Sequence, residues 1–124
     1  MLPGGLQSFF LPAYSLAISE SALHKEIEAS DFLISDEKCT HRLVGLRYDS
    51  GRMSVPEISA VCARHEMALA RQIAYSIGKK IFASHDYSAS LFRNYCRGQK
   101  IAPEDYAEAA RIYAVFLMGR DGGA

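Results

Sequence analysis

The spacing of apolar positions changes along the chain, and each spacing predicts a different element. Apolar residues recur every three to four positions, the period of an α-helix, in four stretches at about 19–33, 56–82, 87–97 and 103–118. Residues 40–48 instead favour a strand, and the turn signal at 49–51 allows a return strand at 52–55. The pattern predicts a mainly α fold, α+β by strict count, with about four helices and one small β-hairpin near 41–55.

Two strands alone are marginal in water, so the hairpin is expected to lie on the helices. Three arginines, Arg42, Arg47 and Arg52, are spaced along it. Charged side chains on an edge strand discourage pairing with another chain. If the strand at 40–48 lies at an exposed edge, these arginines would guard it.

The last two predicted helices are joined by a segment with glycine and proline at the positions where helices end and begin. Gly98 suits the left-handed conformation that closes a helix. Pro103 suits the first position of the next helix, where its missing N–H costs nothing. Only two polar residues interrupt residues 106–118, and Gly119 is expected to end this helix. A helix that is apolar nearly all round is normally buried, in its own core or against a partner.

Residues 97–110 resemble the C-terminal part of Cro-like helix-turn-helix repressors and antitoxins. In that family the recognition helix is followed by a glycine, three or four residues, Pro-Glu, and an alanine-rich helix; here Gly98, Pro103 and Glu104 stand at those positions. The resemblance covers about the last quarter of the chain, and upstream the spacing from Gly78 to Gly98 is longer than in the family. It implies that the DNA major groove would be read by Ser88, Ser90, Arg93 and Asn94.

Charge is unevenly distributed although the formal net charge is zero. Residues 41–100 hold ten Lys or Arg against four acids, whereas both flanking segments are acidic. A basic middle region suits contact with phosphate or with an acidic protein, or pairing within the fold. The sequence pI of about 6.9 argues against a non-specific nucleic-acid coat. The predicted binding residues, for a protein partner or for DNA, are Arg64, Arg71, Lys79, Lys80, Arg93, Asn94 and Arg97.

Two Cys–His pairs form the one metal-like pattern in the sequence: Cys39 with His41, and Cys62 with His65. Two Cys and two His suit tetrahedral zinc, but neither spacing is that of a common zinc finger. Cys62 also fits the apolar stripe of its predicted helix. Three widely spread cysteines are typical of reduced thiols in the cytoplasm. We therefore expect no metal and no cofactor, with these four residues as the only metal candidates.

No set of side chains predicts catalysis. His85 and Asp86 lie near two serines, but sequence neighbours rarely form a catalytic triad, and Asp86 stands where a helix cap is needed. The glycine pairs at the two ends of the chain lack the strand–loop–helix context of a phosphate-binding loop. We expect a binding protein and not an enzyme.

Length and composition predict one domain over residues 1–124, with 1–5 and 120–124 loose. The N-terminus lacks the basic region of a secretory signal, and the apolar segment 9–18 is shorter than the ~20 residues of a membrane span. These features predict a cytoplasmic protein that does not bind a membrane. The predicted function is a non-enzymatic adaptor or inhibitor that binds a protein partner, or forms a homodimer, through its basic middle region and apolar C-terminal helix. The alternative is a DNA-binding transcriptional regulator with a helix-turn-helix-like C-terminal half.

Overall fold

The computed structural model describes the backbone of residues 20–123 and the side chains of residues 20–119. Residues 1–5, predicted to be loose, lie outside this part. The helices are α1 (20–29), α2 (Met67–Ser76), α3 (His85–Asn94) and α4 (Tyr106–Gly123). The strands are β1 (Phe32–Ser35), β2 (Leu43–Arg47), β3 (Glu57–Cys62) and β4 (Ile81–Ala83). The prediction of a mainly α fold with one hairpin is wrong, because the structure is α+β with a four-stranded mixed sheet.

The sheet has the strand order β3-β2-β1-β4. β2 runs antiparallel to β1 and to β3, whereas β4 runs parallel to β1. A parallel neighbour needs a crossover connection, and α2 lies within the connection between β3 and β4. The pairing places Leu33 of β1 between Gly45 of β2 and Ile81 of β4.

The predicted helix at 19–33 is too long, because its last residues belong to β1. All four residues of β1 are buried and the first three are apolar, so the strand lacks the alternation that marks a half-buried strand. The helix stops at residue 29, and the Ser30 hydroxyl donates to the Glu26 carbonyl oxygen at 2.8 Å. When only the spacing of apolar residues is considered, a short apolar strand that directly follows a helix cannot be distinguished from a continuation of that helix.

The predicted helix at 56–82 is right only in its middle, where α2 lies, and wrong at both ends. Its first part is β3, in which Ile58, Ala60 and Cys62 are buried and alternate with half-buried residues. Ile58 and Cys62 also lie four residues apart, so the same residues satisfy a helical pattern. Gly78 has a φ of 70°, a left-handed conformation that lets the chain turn from α2 towards β4.

The predicted strand at 40–48 is confirmed as β2, but it is an interior strand of the sheet. Its arginines therefore do not guard an edge. Arg47 Nε lies 3.1 Å from Glu57 Oε1 on β3, and Arg42 donates to Ser88 Oγ on α3 at 3.2 Å. The return strand at 52–55 is wrong, because residues 49–52 still form a turn and β3 begins at Glu57.

Each face of the sheet is covered by a separate apolar cluster. One cluster joins the sheet to α3 and α4, with Phe32 at its centre: its ring lies 4.6 Å from the Tyr113 ring and 5.3 Å from the Phe82 ring, in T-shaped pairs. The other cluster joins the opposite face to α1 and α2. The two helix pairs therefore lie on opposite faces of the sheet.

The helix boundaries near the C-terminus agree only in part with the prediction. Gly98 is left-handed, with a φ of 86°, but α3 already ends at Asn94. Pro103 opens a 3₁₀ turn that leads into α4, as expected. α4 runs on to Gly123 and not to Gly119, and only Ala109 and Ile112 of its described side chains are buried.

Candidate protein-binding surface

The connection between β1 and β2 is organised around one buried carboxylate. The Asp36 side chain is 4% exposed and accepts three backbone N–H groups, from Thr40, His41 (2.9 Å) and Arg42 (3.2 Å). The ring nitrogen Nδ1 of His41 lies 3.2 Å from the second carboxylate oxygen. Cys39 has a φ of 56°, which is uncommon for a residue with a Cβ. Asp36 has no distinguishing signal in the sequence, because a polar residue after a strand is the normal start of a loop.

These contacts determine the charge of Asp36. Burial acts to raise the pKa of its carboxyl group. The N–H groups of His41, Thr40 and Arg42, with the His41 ring, outweigh burial and hold that pKa well below its ordinary value. The carboxylate is thus ionised and fully hydrogen-bonded, which suits a structural anchor and not a general base.

β4 leaves one edge of the sheet without a neighbouring strand among residues 20–123. Its inner edge is paired: Leu33 N–H donates to Lys80 O at 2.9 Å, and Ser84 N–H donates to Ser35 O at 2.8 Å. Backbone groups alternate along a strand, so the N–H and C=O groups of Ile81 and Ala83 point outward. β4 therefore presents two donors and two acceptors to a possible partner.

A groove runs along each side of the β4 edge. The groove on the α2 side is lined by Cys39, Tyr75, Gly78, Ile81 and Ala83, together with Glu37. The groove on the α4 side is lined by Ile77, Lys80, Phe82 and Val115, among others. Tyr75 is 73% exposed, although tyrosine carries a large apolar ring.

The opposite edge of the sheet is covered. Ile58 N–H donates to Gln99 O at 2.8 Å, and Gly98 N–H donates to Ile58 O at 2.7 Å. Arg97 extends this cover, because its Nη2 donates to Val61 O at 2.6 Å and its Nε to Glu26 Oε1 at 2.6 Å. The segment at 97–101 thus closes the β3 edge, whereas no segment within residues 20–123 covers the β4 edge in this way.

The outward face of α4 is the second apolar surface. Leu117 is 49% exposed and Met118 71% exposed, and Tyr106 is exposed too. Three alanines, Ala107, Ala110 and Ala114, are exposed on the same helix. Exposed apolar residues that continue along one helix make this face a candidate interaction site.

The residues predicted to bind a partner do not form one patch. Arg64 and Arg71 belong to the α2 side of the sheet, whereas Arg93 and Asn94 lie at the exposed end of α3 on the other side. Lys80 lies beside β4, with its Nζ 5.6 Å from the centre of the Phe82 ring. The basic middle region is therefore distributed over the molecule.

Two of the predicted binding residues have contacts within the fold. Lys79 Nζ donates to the carbonyl oxygens of Glu28, at 3.1 Å, and Ser30, where α1 ends. A cation at this position satisfies carbonyls that lack a helical partner. Arg97 joins α1 to β3, as described above. A role in binding stays a prediction for all seven residues.

The four metal candidates do not form a site. His65 is exposed, and the Nδ1 atom of His41 is paired with the Asp36 carboxylate. Cys62 is fully buried, and burial together with the Glu66 carboxylate raises the pKa of its thiol to about 12. Within the described part of the chain, no three Cys, His, Asp or Glu side chains come together in a way that could hold a metal ion.

Comparison with known proteins identifies the family. The model of the FlhB HrpN YscU SpaS Family matches residues 14–116, which is most of the sequence. The chain belongs to this export family. No curated protein matches the sequence.

Solved structures of FlhB and of EscU share the fold. The cytoplasmic domain of FlhB from Shewanella putrefaciens has a TM-score of 0.75 at 17% identity, covering 84% of this chain and 78% of that one. The C-terminal domain of EscU with an Asn-to-Asp mutation has a TM-score of 0.73 at 19% identity, covering 80% and 89%. Another EscU structure carries a Pro-to-Ala mutation at the next position; it has a TM-score of 0.69 at 18% identity and covers 75% and 90%. The present chain has no Asn-Pro pair, because its one asparagine, Asn94, precedes Tyr95.

Membership of the export family overturns the predicted functions. The Cro-like resemblance is wrong: Gly98 and Pro103 belong to the segment that covers the β3 edge and leads into α4, not to a DNA-reading motif. The alternative of a DNA-binding regulator is therefore wrong, and so is the adaptor or inhibitor. In the described residues, no helix is both long enough and apolar enough to span a membrane.

Proposed function

We propose that this chain is a component of a type III protein-export apparatus and that it binds another protein of that apparatus through the outward face of α4. The observation that supports this function is the family match over residues 14–116. The fold, shared with FlhB and EscU domains, agrees with it. The matched FlhB structure is a cytoplasmic domain, and we propose the same compartment for this chain.

The exposed apolar residues of α4 support a protein as the ligand. Leu117 and Met118 would lose contact with water if a partner covered them, and burial of apolar area is the main driving force of protein association. Among the side chains that the structure describes, the arginines and lysines are scattered and form no matching basic patch for nucleic acid.

We propose further that the domain acts by binding and not by catalysis. Asp36 is the buried carboxylate closest to a catalytic arrangement, since Thr40 and His41 both contact it. Its oxygens are occupied by backbone N–H groups, however, and its low pKa makes it a weak base. Its role is to hold the connection between β1 and β2.

Deletion of the gene in the source bacterium tests the function. Loss of the apparatus's substrates from the culture medium, restored by the wild-type gene, is the expected result. Unchanged secretion would contradict the proposal.

Crosslinking tests the surface. A photoreactive phenylalanine analogue at Leu117 should capture a protein of the export apparatus, whereas the same analogue at Gln72, which is exposed on α2, should not. Equal capture at both positions, or capture of a second copy of this chain alone, would contradict binding through α4.

A further inference from the structure

The outer edge of β4 carries backbone groups that point away from the sheet. Ile81 and Ala83 direct two N–H and two C=O groups away from β1. These groups have no backbone partner among the residues that the structure describes. A row of alternating donors and acceptors is complementary to an extended backbone and to little else.

The residues that line the two grooves indicate which side chains an added strand should carry. Successive side chains of a strand point to opposite faces of a sheet. An added strand would therefore direct one side chain towards Tyr75 and Cys39, and the next towards Phe82 and Val115. Both grooves contain apolar groups, and both are also lined by Lys80, with Glu37 in one groove and Asp31 in the other. The segment should therefore have apolar residues at adjacent positions that face opposite grooves.

A second copy of β4 fits the edge poorly. Ile81 and Phe82 already pack in their own chain's apolar clusters, and Ala83 is small. A second β4 would therefore fill neither groove. A second β4 would also carry its own Lys80, so it would add positive charge to an edge that already has Lys80 in both grooves. A segment with a carboxylate near Lys80 would be attracted.

We propose that β4 binds an extended segment of an exported polypeptide by strand addition, with apolar side chains in both grooves and an acidic residue near Lys80. This proposal rests on the proposed function, because membership of an export apparatus is what brings polypeptides to this surface. It concerns a different surface from the outward face of α4, so the two can fail separately.

Replacement of Ala83 by proline isolates the backbone contact. Proline lacks the N–H group, and the N–H of Ala83 points outward, so Ala83→Pro should leave the pairing with β1 intact. Ala83→Ser is the matched control, because it keeps the N–H group in a residue of similar size. Val115→Arg is a second variant that obstructs the α4-side groove without changing β4.

Photocrosslinking in the source bacterium provides the measurement. The full chain carries a photoreactive phenylalanine analogue at Tyr75, and the crosslinked peptides are located by mass spectrometry. The expected result is one extended segment of an exported protein, with a yield that falls about fivefold or more in Ala83→Pro and in Val115→Arg but not in Ala83→Ser.

Three results would overturn strand addition. Crosslinks that Ala83→Pro does not reduce would show that the outward N–H is unused. Crosslinks that map to residues 1–19 of the same chain, or to a second copy, would show a different occupant. A lack of crosslinks at Tyr75, while Leu117 still captures an apparatus protein, would reject this proposal and leave the proposed function standing.

Discussion

The hydroxyl oxygens of Ser30 and Ser59 lie 2.7 Å apart, and both face the Cα of Gly45. Ser30 precedes β1, and Ser59 lies at the irregular pairing between β2 and β3. The hydrogen bond therefore crosses β2 at the residue without a side chain. Glycine is required at this position for close approach and not for an unusual backbone conformation.

Gly45→Ala is accordingly expected to destabilise the fold. A Cβ at this position would overlap Ser30 Oγ and lie 2.9 Å from Ser59 Oγ, so the serine pair would have to separate. We expect a loss of about 1–3 kcal/mol in the free energy of unfolding, measured by urea denaturation.

Gly119→Ala is the control for this prediction. Nothing lies within 4 Å of a Cβ at Gly119, which is in α4, so alanine there should be neutral or stabilising by up to about 1 kcal/mol. A Gly45→Ala variant as stable as the wild type would show that the serine pair is not a constraint.

Asp36→Asn should lower stability at neutral pH by about 1–3 kcal/mol, because an amide has one acceptor oxygen in place of two and loses the charge that strengthens these hydrogen bonds. The pKa of Asp36 is lower in the folded state than in the unfolded state. Its contribution is therefore present above the unfolded pKa of about 4 and is lost as the pH falls below that value.

Urea denaturation of both proteins at pH 7, 5 and 3 measures this effect. The stability difference between wild type and Asp36→Asn should be similar at pH 7 and 5 and smaller at pH 3. Glu37→Gln is the control, because Glu37 is exposed next to Asp36. A stability difference that does not change with pH would contradict a role for the ionised carboxylate.

The sequence predicted the elements whose signals are local. The hairpin turn at 49–51, the left-handed Gly98 and the start of a helix at Pro103 each follow from the conformational preference of one or two residues. The structure has all three features, although the helices and strands beside them begin or end several residues away from their predicted boundaries.

The sheet itself was missed for a physical reason. β1 and β4 are short, and β1 is buried on both faces, so neither shows the alternation of a half-buried strand. β3 has buried residues at positions that also fit a helix. Parallel pairing between Leu33 and Ile81 joins residues far apart in sequence, which local periodicity cannot reveal. The β4 edge depends on that pairing, so the candidate site was missed with it.

Arg97→Ala should cost about 1 kcal/mol, whereas Arg93→Ala should change stability by less than about 0.5 kcal/mol. Arg97 bonds both Glu26 and Val61, which joins α1 to β3, but it is partly exposed, and solvent weakens its ion pair. Arg93 is exposed on α3. Equal effects in urea denaturation would show that the Arg97 contacts contribute nothing.

The three cysteines should differ in their reaction with a thiol reagent, since only the thiolate attacks it. Cys96 is exposed and is expected to react within the native state, and half-buried Cys39 more slowly. Burial, with the Glu66 carboxylate, raises the pKa of Cys62 to about 12, so this thiol should react only when the protein unfolds. Titration with Ellman's reagent should give one fast thiol, one slower thiol, and a third that appears only in denaturant. A Cys96→Ser variant that keeps the fast phase, or a Cys62 that reacts without denaturant, would contradict the closed packing between the sheet and α2.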